Sequence, residues 1–428
     1  MDSLHQYRIA ILVAYLLVQG ADYWLELLNL RHMQRYGRNI PEGFEKYIDE
    51  NTLEKAVAYT LDKTRFGIAE SAAGNILMII FLFGGLLGIY DRWIQSLHLS
   101  FIAAGIVFFL VLQYINTILS VPFSLYNTFR IENRYGFNTM SGKLWVSDLL
   151  KSTLLSTLLL GVMTAAGLWI VRSSTEYWWL YAWGFFLVFS LFLMFISPYV
   201  IEPLFNKFTP IEGEELTERI RETMGKAGIR VSSVLKIDSS KRSHHTNAYF
   251  TGIGKVKRIV MYDTLLAKMN DREIVAILAH EIGHWKKRHI LKRIVAVEVL
   301  ALAGMYLAFR LLQSDLPSAL FGLQNATFYA KAVIISFVAG IITFPFTALS
   351  NYISRRHEEE ADRFASALTG DPESLAGSLI KLSRDNLSNL HPHPWYAAFN
   401  FSHPPVTERI RTLRSLAGQG TDNQAEND

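Results

Sequence analysis

Cysteine is absent from the 428-residue sequence, and charged residues make up only 19% of it. The first absence excludes disulfide bonds, thiol catalysis and cysteine-ligated zinc, so any bound metal has to be held by histidine and carboxylate side chains. The scarcity of charge, together with a hydrophobic fraction of 50% and a mean hydropathy of +0.19, excludes an ordinary soluble domain. The composition predicts a protein of the lipid bilayer.

Long apolar runs predict seven membrane-spanning helices. Each run has about 20 residues, enough to cross the hydrocarbon core of a bilayer as a helix. No small-residue cleavage site follows the first run, so we do not interpret it as a signal peptide. The first run contains Asp22 and Glu26 and the sixth contains Glu298, which indicates a wet cavity between helices, although an interfacial position also explains the first two. The runs lie at 9–29, 75–91, 100–119, 152–171, 178–197, 292–312 and 331–349.

Basic residues are concentrated in the loops on one side of the predicted bundle. The first, third and fifth loops hold most of the lysines and arginines, whereas the loops between them hold little beyond Arg92 and Arg172. By the positive-inside rule, the N-terminus is then outside, and the 205–293 region and the C-terminus are cytoplasmic. These flanks account for the net charge of +4 and the pI near 9, so no nucleic-acid partner is expected.

The pentapeptide His280–His284 places two imidazoles and one carboxylate where a catalytic zinc needs them. Residues four apart share a face of a helix, so His280 and His284 can bind one metal ion while Glu281 acts as the base toward water. The preceding segment favours a helix, because Asp271 can cap its start and apolar residues follow at three-to-four spacing. The alternative is a helix that carries two surface histidines beside a glutamate.

A hydrolytic zinc site usually takes three protein ligands, so a third one is expected downstream. Glu358 and Asp362 are four residues apart and share a helical face, so one can bind the metal while the other supports a ligand. A run of three glutamates is more often a solvated helix face, but the apolar register that follows turns Glu358 inward. We expect the side chains of His357 and Glu359 to point away from the metal. If Glu358 is not a ligand, Glu359 or Glu360 becomes the better candidate.

A small sheet is predicted ahead of the metal helix, from segments at 234–238, 247–252 and 257–262. A protease that binds extended peptide commonly offers an edge strand to it, because main-chain pairing needs no particular side chain. We expect Asn247, Ala248 and Tyr249 to lie on that edge and bind substrate. The alternative is an ordinary exposed strand.

His403 precedes two prolines and a helix that is expected to begin near Val406. The prolines fix the backbone, so His403 has a defined position and could donate a hydrogen bond to a developing oxyanion. A structural role is the more common one for such a histidine. We interpret the segment 391–395 as a connector and the polar residues 417–428 as a disordered tail.

Four motifs in this order, laid over seven spans, resemble the type I CAAX prenyl protease family of integral-membrane zinc endopeptidases. They are Asn247–Gly252, His280–His284, Ser354–Asp362 and Ser402–Pro405. The resemblance implies a mainly α-helical fold, in which seven transmembrane helices form a barrel around a chamber. It implies a gluzincin-like metalloprotease core with a small β-sheet. The implied site residues are the zinc ligands His280, His284 and Glu358, the catalytic base Glu281, the supporting carboxylate Asp362, and contacts from Asn247 and His403 to substrate or intermediate.

The resemblance also implies a function and its partners. Such enzymes hydrolyse peptide bonds near the C-terminus of prenylated CAAX proteins, so we expect one zinc ion per chain, a peptide or protein substrate and a lipid bilayer. The absence of cysteine, the compact loops and the lack of a terminal retrieval signal favour a bacterial cytoplasmic membrane, with the ER membrane for a eukaryotic chain. One alternative is a quality-control zinc protease without prenyl specificity, and another is a multi-span transporter with structural zinc.

The expected organisation is membrane helices in 1–200 and 291–350 and metalloprotease portions in 201–290 and 351–416.

Overall fold

The computed structural model describes residues 2–251 and 256–425, and most of them are helical. Two π-helical segments, Asn127–Glu132 and Ser197–Ile201, continue α4 and α7, and a 3-10 turn covers Ser239–Lys241. The helices of the first half are α1 (Asp2–Tyr36), α2 (Glu50–Phe83), α3 (Leu86–Ser96), α4 (Phe101–Tyr126), α5 (Asn133–Tyr135), α6 (Gly142–Ser173), α7 (Trp178–Ile196) and α8 (Glu202–Phe205).

The second half begins with strands and ends in helices. Its first elements are β1 (Phe208–Pro210), α9 (Glu214–Lys226), β2 (Arg230–Ile237), β3 (Ala248–Thr251), β4 (Val256–Tyr262), α10 (Asp263–Leu266) and α11 (Asp271–Lys286). The remaining helices are α12 (His289–Leu312), α13 (Leu316–Leu320), α14 (Phe328–Thr343), α15 (Phe346–Thr369), α16 (Pro372–Asp385), α17 (Pro394–Asn400) and α18 (Val406–Ala425).

Six helices within the described ranges are long and apolar enough to cross a membrane, namely α1, α2, α4, α6, α7 and α12. Helices α14 and α15 make a seventh crossing when they are taken together, and they are bent by 59° relative to each other. Apolar side chains cover the outside of these helices, and Leu154 on α6 and Leu300 on α12 are each 72% exposed. Lipid solvates such surfaces and water does not, so the predicted multi-pass, mainly α-helical membrane protein is confirmed.

Two of the predicted spans have the wrong bounds. The run 75–91 crosses a break, because α2 ends at Phe83 and Gly85, with a φ of +86°, separates it from α3. Most of α2 therefore precedes that run. The run 331–349 is also interrupted, because Pro345 caps the start of α15 and has no N–H with which to continue α14. A hydropathy window reports apolar content and is insensitive to such breaks.

A polar cavity lies between α1 and α2. It has a volume of about 240 Å³, and its lining includes Asp22, Glu26 and Lys63. The charged residues Asp22 and Glu26 of the first span thus border a cavity between helices, whereas Glu298 of the sixth predicted span does not line it.

The sheet has the strand order β1-β2-β4-β3. Strands β2 and β4 are parallel, and the two outer pairs are antiparallel. The three predicted segments correspond to β2, β3 and β4, although Gly252 lies outside the described residues. Strand β3 is at an edge of the sheet, as predicted, whereas the short β1 at the opposite edge was not predicted.

Helix α11 lies between this sheet and a second group of helices. Its large residues Ile274 and Leu278 pack into the core of the sheet and α9. Its small residues Ala276 and Ala279 join a second core with α15, α16 and α18. The two faces of α11 thus differ in residue size, which lets helices approach it closely on one side only.

The ends of α11 and α18 differ from the sequence interpretation. Asn270 is the N-cap of α11 and forms a capping box with Glu273, so Asp271 is the first helical residue instead of the cap. Helix α18 begins at Val406, as predicted, and continues to Ala425, past residue 417 where the composition predicts a disordered tail. Residues 426–428 of that tail lie outside the described residues.

Candidate metal centre

Side chains from α11 and α15 converge at one point beside the sheet. Nε2 of His280 lies 3.2 Å from Nε2 of His284. Oε2 of Glu358 lies 3.3 Å from Nε2 of His280, and Oε1 of Glu358 lies 3.1 Å from Nε2 of His284. The structure therefore brings together the three residues that the sequence proposes as metal ligands, and their donor atoms all lie within 4.8 Å of one another.

The spacing of these donor atoms fits a zinc ion. A tetrahedral site with metal–ligand bonds of about 2.0–2.1 Å keeps its ligand atoms about 3.3 Å apart. The two Nε2 atoms are 3.2 Å apart, and each lies 3.3 or 3.1 Å from one of the two carboxylate oxygens of Glu358. Oε2 of Glu358 is buried and makes no hydrogen bond of regular geometry with the described residues. Two imidazoles and one carboxylate also form a ligand set that zinc prefers.

Asp362 contacts the ring nitrogen of His280 that points away from His284 and Glu358. Its Oδ1 lies 2.7 Å from Nδ1 of His280. Burial opposes the charged form of His280, but hydrogen bonds to Asp362 and Glu358 outweigh it and raise the pKa of His280 to about 9. A carboxylate behind a ligating imidazole fixes its tautomer and orientation, which is the role that the sequence proposes for Asp362.

Arg409 completes this group and was not predicted. Its Nη2 and Nε lie 2.7 and 2.9 Å from the two carboxylate oxygens of Asp362, and its Nη1 lies 3.5 Å from Oε2 of Glu358. The Arg409 side chain is only 10% exposed. A planar guanidinium matches a carboxylate at two points, so Arg409 both neutralises and orients Asp362.

Glu281 is partly exposed and remains available for chemistry. Among the described residues its carboxylate has no hydrogen-bond or ion-pair partner, although its charge acts on the pKa of the nearby Arg409. It lies one position beyond His280 on α11, beside the converging ligand atoms. A base needs such freedom to reach water and then a leaving group.

His403 also reaches the centre. Its Nδ1 lies 2.8 Å from Oε2 of Glu358, and its side chain is 61% exposed. His403 thus contacts the third proposed ligand, and its exposed side chain is accessible to a substrate.

The three proposed substrate-binding residues on the edge strand differ from one another. Asn247 is exposed, and its Oδ1 accepts a hydrogen bond from the N–H of Ala248 at 2.8 Å. Ala248 is buried in the core between the sheet and α11. The Tyr249 hydroxyl donates a hydrogen bond to Glu202, at the start of α8. Only Asn247 and the strand's main chain therefore remain open to a peptide.

Two family models match consecutive parts of the chain. Residues 29–207 match the model described as CAAX prenyl protease N-terminal, five membrane helices, and residues 210–417 match peptidase family M48. A CAAX prenyl protease 1 homolog from Arabidopsis thaliana is 35% identical over 399 residues, which cover 87% of this chain and 90% of that relative. The chain belongs to peptidase family M48.

Relatives of this M48 peptidase occur in fungi and bacteria. CAAX prenyl protease 1 of Saccharomyces cerevisiae is 31% identical and aligns over 90% of this chain and 91% of its own length. The uncharacterized metalloprotease YhfN of Bacillus subtilis is 30% identical over 78% of this chain and 79% of its own length. The crystal structure of S. mikatae Ste24p superposes with a TM-score of 0.89 at 28% identity and covers 95% of this chain and 99% of that one. The predicted family, fold class and metalloendopeptidase activity are confirmed.

Two residues beside the proposed metal centre of this M48 peptidase, Arg409 and His289, belong to none of the four sequence motifs. Arg409 has a detectable signal, since it precedes Ile410 and lies four residues before Leu413, both of which are buried. That register places it on the buried face of α18. Nδ1 of His289 lies 3.1 Å from Nδ1 of the proposed ligand His284, and the spacing of His289 in the sequence gives no sign of this contact.

Proposed function

We propose that this M48 peptidase binds one zinc ion per chain at His280, His284 and Glu358 and uses it to hydrolyse peptide bonds. The observation that carries the proposal is the convergence of the donor atoms. Nε2 of His280 and Nε2 of His284 lie 3.2 Å apart, and they lie 3.3 and 3.1 Å from Oε2 and Oε1 of Glu358, respectively. Zinc in such a site lowers the pKa of water and polarises a carbonyl group.

The protein's own groups supply the proton transfers. Glu281 takes a proton from water on its carboxylate and delivers it to the leaving amine nitrogen. When Nε2 of His280 is a ligand, its Nδ1 carries the proton and donates it in a hydrogen bond to Oδ1 of Asp362. Arg409 balances the charge of Asp362 in a buried setting. His403, exposed beside Glu358, donates a hydrogen bond to the oxyanion that develops on the substrate.

The proposed substrate is a membrane-associated protein, cut near its C-terminus, and prenylated CAAX proteins are the first candidates. Support comes from the names of the Arabidopsis and Saccharomyces relatives, both called CAAX prenyl protease 1 or its homolog. It also comes from the fold, because α12 begins at His289, five residues after the ligand His284. The metal centre is thus tied directly to a membrane span, where a lipid-anchored chain is concentrated.

We also propose an orientation and a mode of binding. Lys286 ends α11, and Lys287 and Arg288 join it to α12. Such basic clusters flank the cytoplasmic ends of spans, so we propose that the centre faces the cytoplasm. A bacterial cytoplasmic membrane fits the lack of cysteine. An extended peptide would pair with the main chain of edge strand β3, beside Asn247.

Matched peptides test both the chemistry and the substrate. The purified full-length chain would be incubated with a farnesylated CAAX peptide and its unmodified counterpart, and the products identified by mass spectrometry. We expect cleavage that a chelator abolishes and zinc restores, loss of cleavage with retained zinc in Glu281→Gln, and unchanged cleavage in the surface control Glu359→Gln. Full activity of Glu281→Gln would overturn the mechanism. Equal cleavage of both peptides would favour a quality-control protease without prenyl specificity.

A further inference from the structure

A second chain of polar contacts leads away from the metal centre, through the other histidine ligand. Nδ1 of His284 lies 3.1 Å from Nδ1 of His289. Nε2 of His289 lies 3.1 Å from Oε2 of Glu360. The His289 side chain is only 4% exposed, whereas Glu360 is 48% exposed. The contacts thus run from the proposed ligand through a buried imidazole to a carboxylate at the surface.

The proton positions in this chain follow from the proposed ligand set. Two imidazole nitrogens at hydrogen-bond distance must be one donor and one acceptor. When Nε2 of His284 is a ligand, its proton is on Nδ1, so Nδ1 of His289 is the acceptor. The remaining proton of a neutral His289 is then on Nε2, where it is donated to Glu360. Only this arrangement gives a hydrogen-bond partner to Nδ1 of His284 and to both ring nitrogens of His289.

We propose that His289 is a positioning residue for the metal centre, which holds the ring and tautomer of His284, and that Glu360 in turn holds His289. The proposal rests on the proposed function, since it requires His284 to bind the ion through Nε2. It makes the two histidine ligands unequal. His280 is backed by a buried carboxylate, Asp362, at 2.7 Å, whereas His284 is backed by a neutral imidazole. Partners of this kind contribute substantially to metal affinity.

The local backbone places His289 for this contact. Arg288 has a φ of +58°, in the left-handed region that disfavours side chains with a Cβ, and this turn separates α11 from α12. The turn folds His289 back toward His284, which lies only five positions earlier. The ring of His357 stacks on that of His289 at a centroid distance of 4.0 Å and an interplanar angle of 9°. The imidazole is therefore held in its plane by a neighbouring ring as well as at both nitrogens.

The test measures zinc affinity by chelator competition on the purified full-length protein, independently of peptide cleavage. Weaker binding by about 10–100-fold is expected for His289→Leu, because Nδ1 of His284 loses its acceptor. His289→Gln should recover most of the affinity, since its amide oxygen can accept the same hydrogen bond. Glu360→Ala should weaken binding less, because water can replace an exposed carboxylate. Glu359→Ala, next to it on α15, is the matched control and should bind zinc normally.

A cobalt-substituted protein gives a second readout. The ligand-field absorption of bound Co²⁺ should shift in His289→Leu and not in Glu359→Ala, because only the first alters the orientation of His284. If His289→Leu does not fold, the zinc affinity of Glu360→Ala is the deciding measurement, because the Glu360 side chain is half exposed and its removal leaves the core intact. His284→Ala separates this proposal from the proposed function. Reduced affinity in His284→Ala with normal affinity in the His289 and Glu360 variants would overturn the positioning role alone, whereas normal affinity in His284→Ala would overturn the ligand set and the positioning role with it.

Discussion

Gly283 of α11 lies against Ala361 of α15 so closely that a Cβ on Gly283 would be 2.8 Å from the Cα and 3.0 Å from the carbonyl oxygen of Ala361. Both of these neighbours are backbone atoms, so no side chain can move to make room. Gly283 directly precedes His284 on the motif helix, and Ala361 follows the proposed ligand Glu358 by three residues. The contact therefore sets the distance between the two helices that carry the proposed ligands.

Gly283→Ala should push α15 away from α11 and separate Glu358 from the two histidines. We expect weaker zinc binding and a loss of stability of about 1–3 kcal/mol, as is typical of overpacked cores. Zinc content after dialysis and the thermal midpoint of the full-length protein would measure both effects. Gly225→Ala on α9 is the control, because that position has open space and alanine favours a helix. If Gly283→Ala binds zinc normally, the close approach does not set the ligand geometry.

Arg409 should be essential for the stability of the buried carboxylates. Its guanidinium bridges Asp362, at 2.7 and 2.9 Å, and Glu358, at 3.5 Å. Removal of one partner of a buried pair leaves an unpaired charge and costs about 3–5 kcal/mol. We expect Arg409→Ala to lose stability on that scale, and Arg409→Lys to lose less, since it keeps the charge but not the two-point contact.

Arg411 provides the control for this change. It is exposed on the same helix, so Arg411→Ala should alter stability by no more than about 0.5 kcal/mol. Thermal unfolding of the three variants measures the comparison. Equal stability of Arg409→Ala and Arg411→Ala would show that the ion pairs around Asp362 contribute nothing.

Zinc binding should strengthen as the pH rises from 6.5 to 9. In the metal-free protein the Asp362 and Glu358 carboxylates outweigh burial and raise the pKa of His280 from 6.5 to about 9. The protonated ring thus stabilises the metal-free fold fully below pH 6.5, and this stabilisation is lost as the pH rises through 9. Zinc needs the neutral ring, so its binding becomes more favourable over the same range.

The difference in thermal midpoint between zinc-loaded and metal-free protein should therefore widen between pH 6.5 and pH 9. Asp362→Asn removes one of the two carboxylates that raise this pKa, so it should shift the widening to lower pH. A difference that stays constant across this range in the native sequence would contradict the assignment of His280 as a ligand.

The sequence predicts the proposed ligands because their spacing depends only on helical periodicity. His280 and His284 are four residues apart, as are Glu358 and Asp362, and residues four apart share a face of any α-helix. The contacts between the two pairs depend on how closely α11 and α15 approach. That distance is a property of long-range packing at Gly283, and the motif gives no measure of it.

The residues that support the proposed ligands are harder to predict, for different reasons in each case. Arg409 has the register of a buried residue, but arginine is rarely buried, so the pattern is easily taken for a surface position. The contact of His289 with His284 depends on the left-handed turn at Arg288, where no glycine signals such a backbone. The break after α2 does have a signal in Gly84 and Gly85, which a hydropathy window averages away.

Asn247 and Tyr249 should have separable roles, although both belong to the predicted substrate strand. The Tyr249 hydroxyl donates to Glu202 and so ties the edge of the sheet to the start of α8. Tyr249→Phe removes one hydrogen bond of the fold, so we expect a loss of about 1 kcal/mol in stability and an unchanged KM. Asn247 is exposed at the start of the edge strand. Asn247→Ala should therefore lower kcat/KM for a peptide substrate with little effect on the thermal midpoint. A higher KM in Tyr249→Phe, at normal stability, would instead place that side chain in contact with substrate.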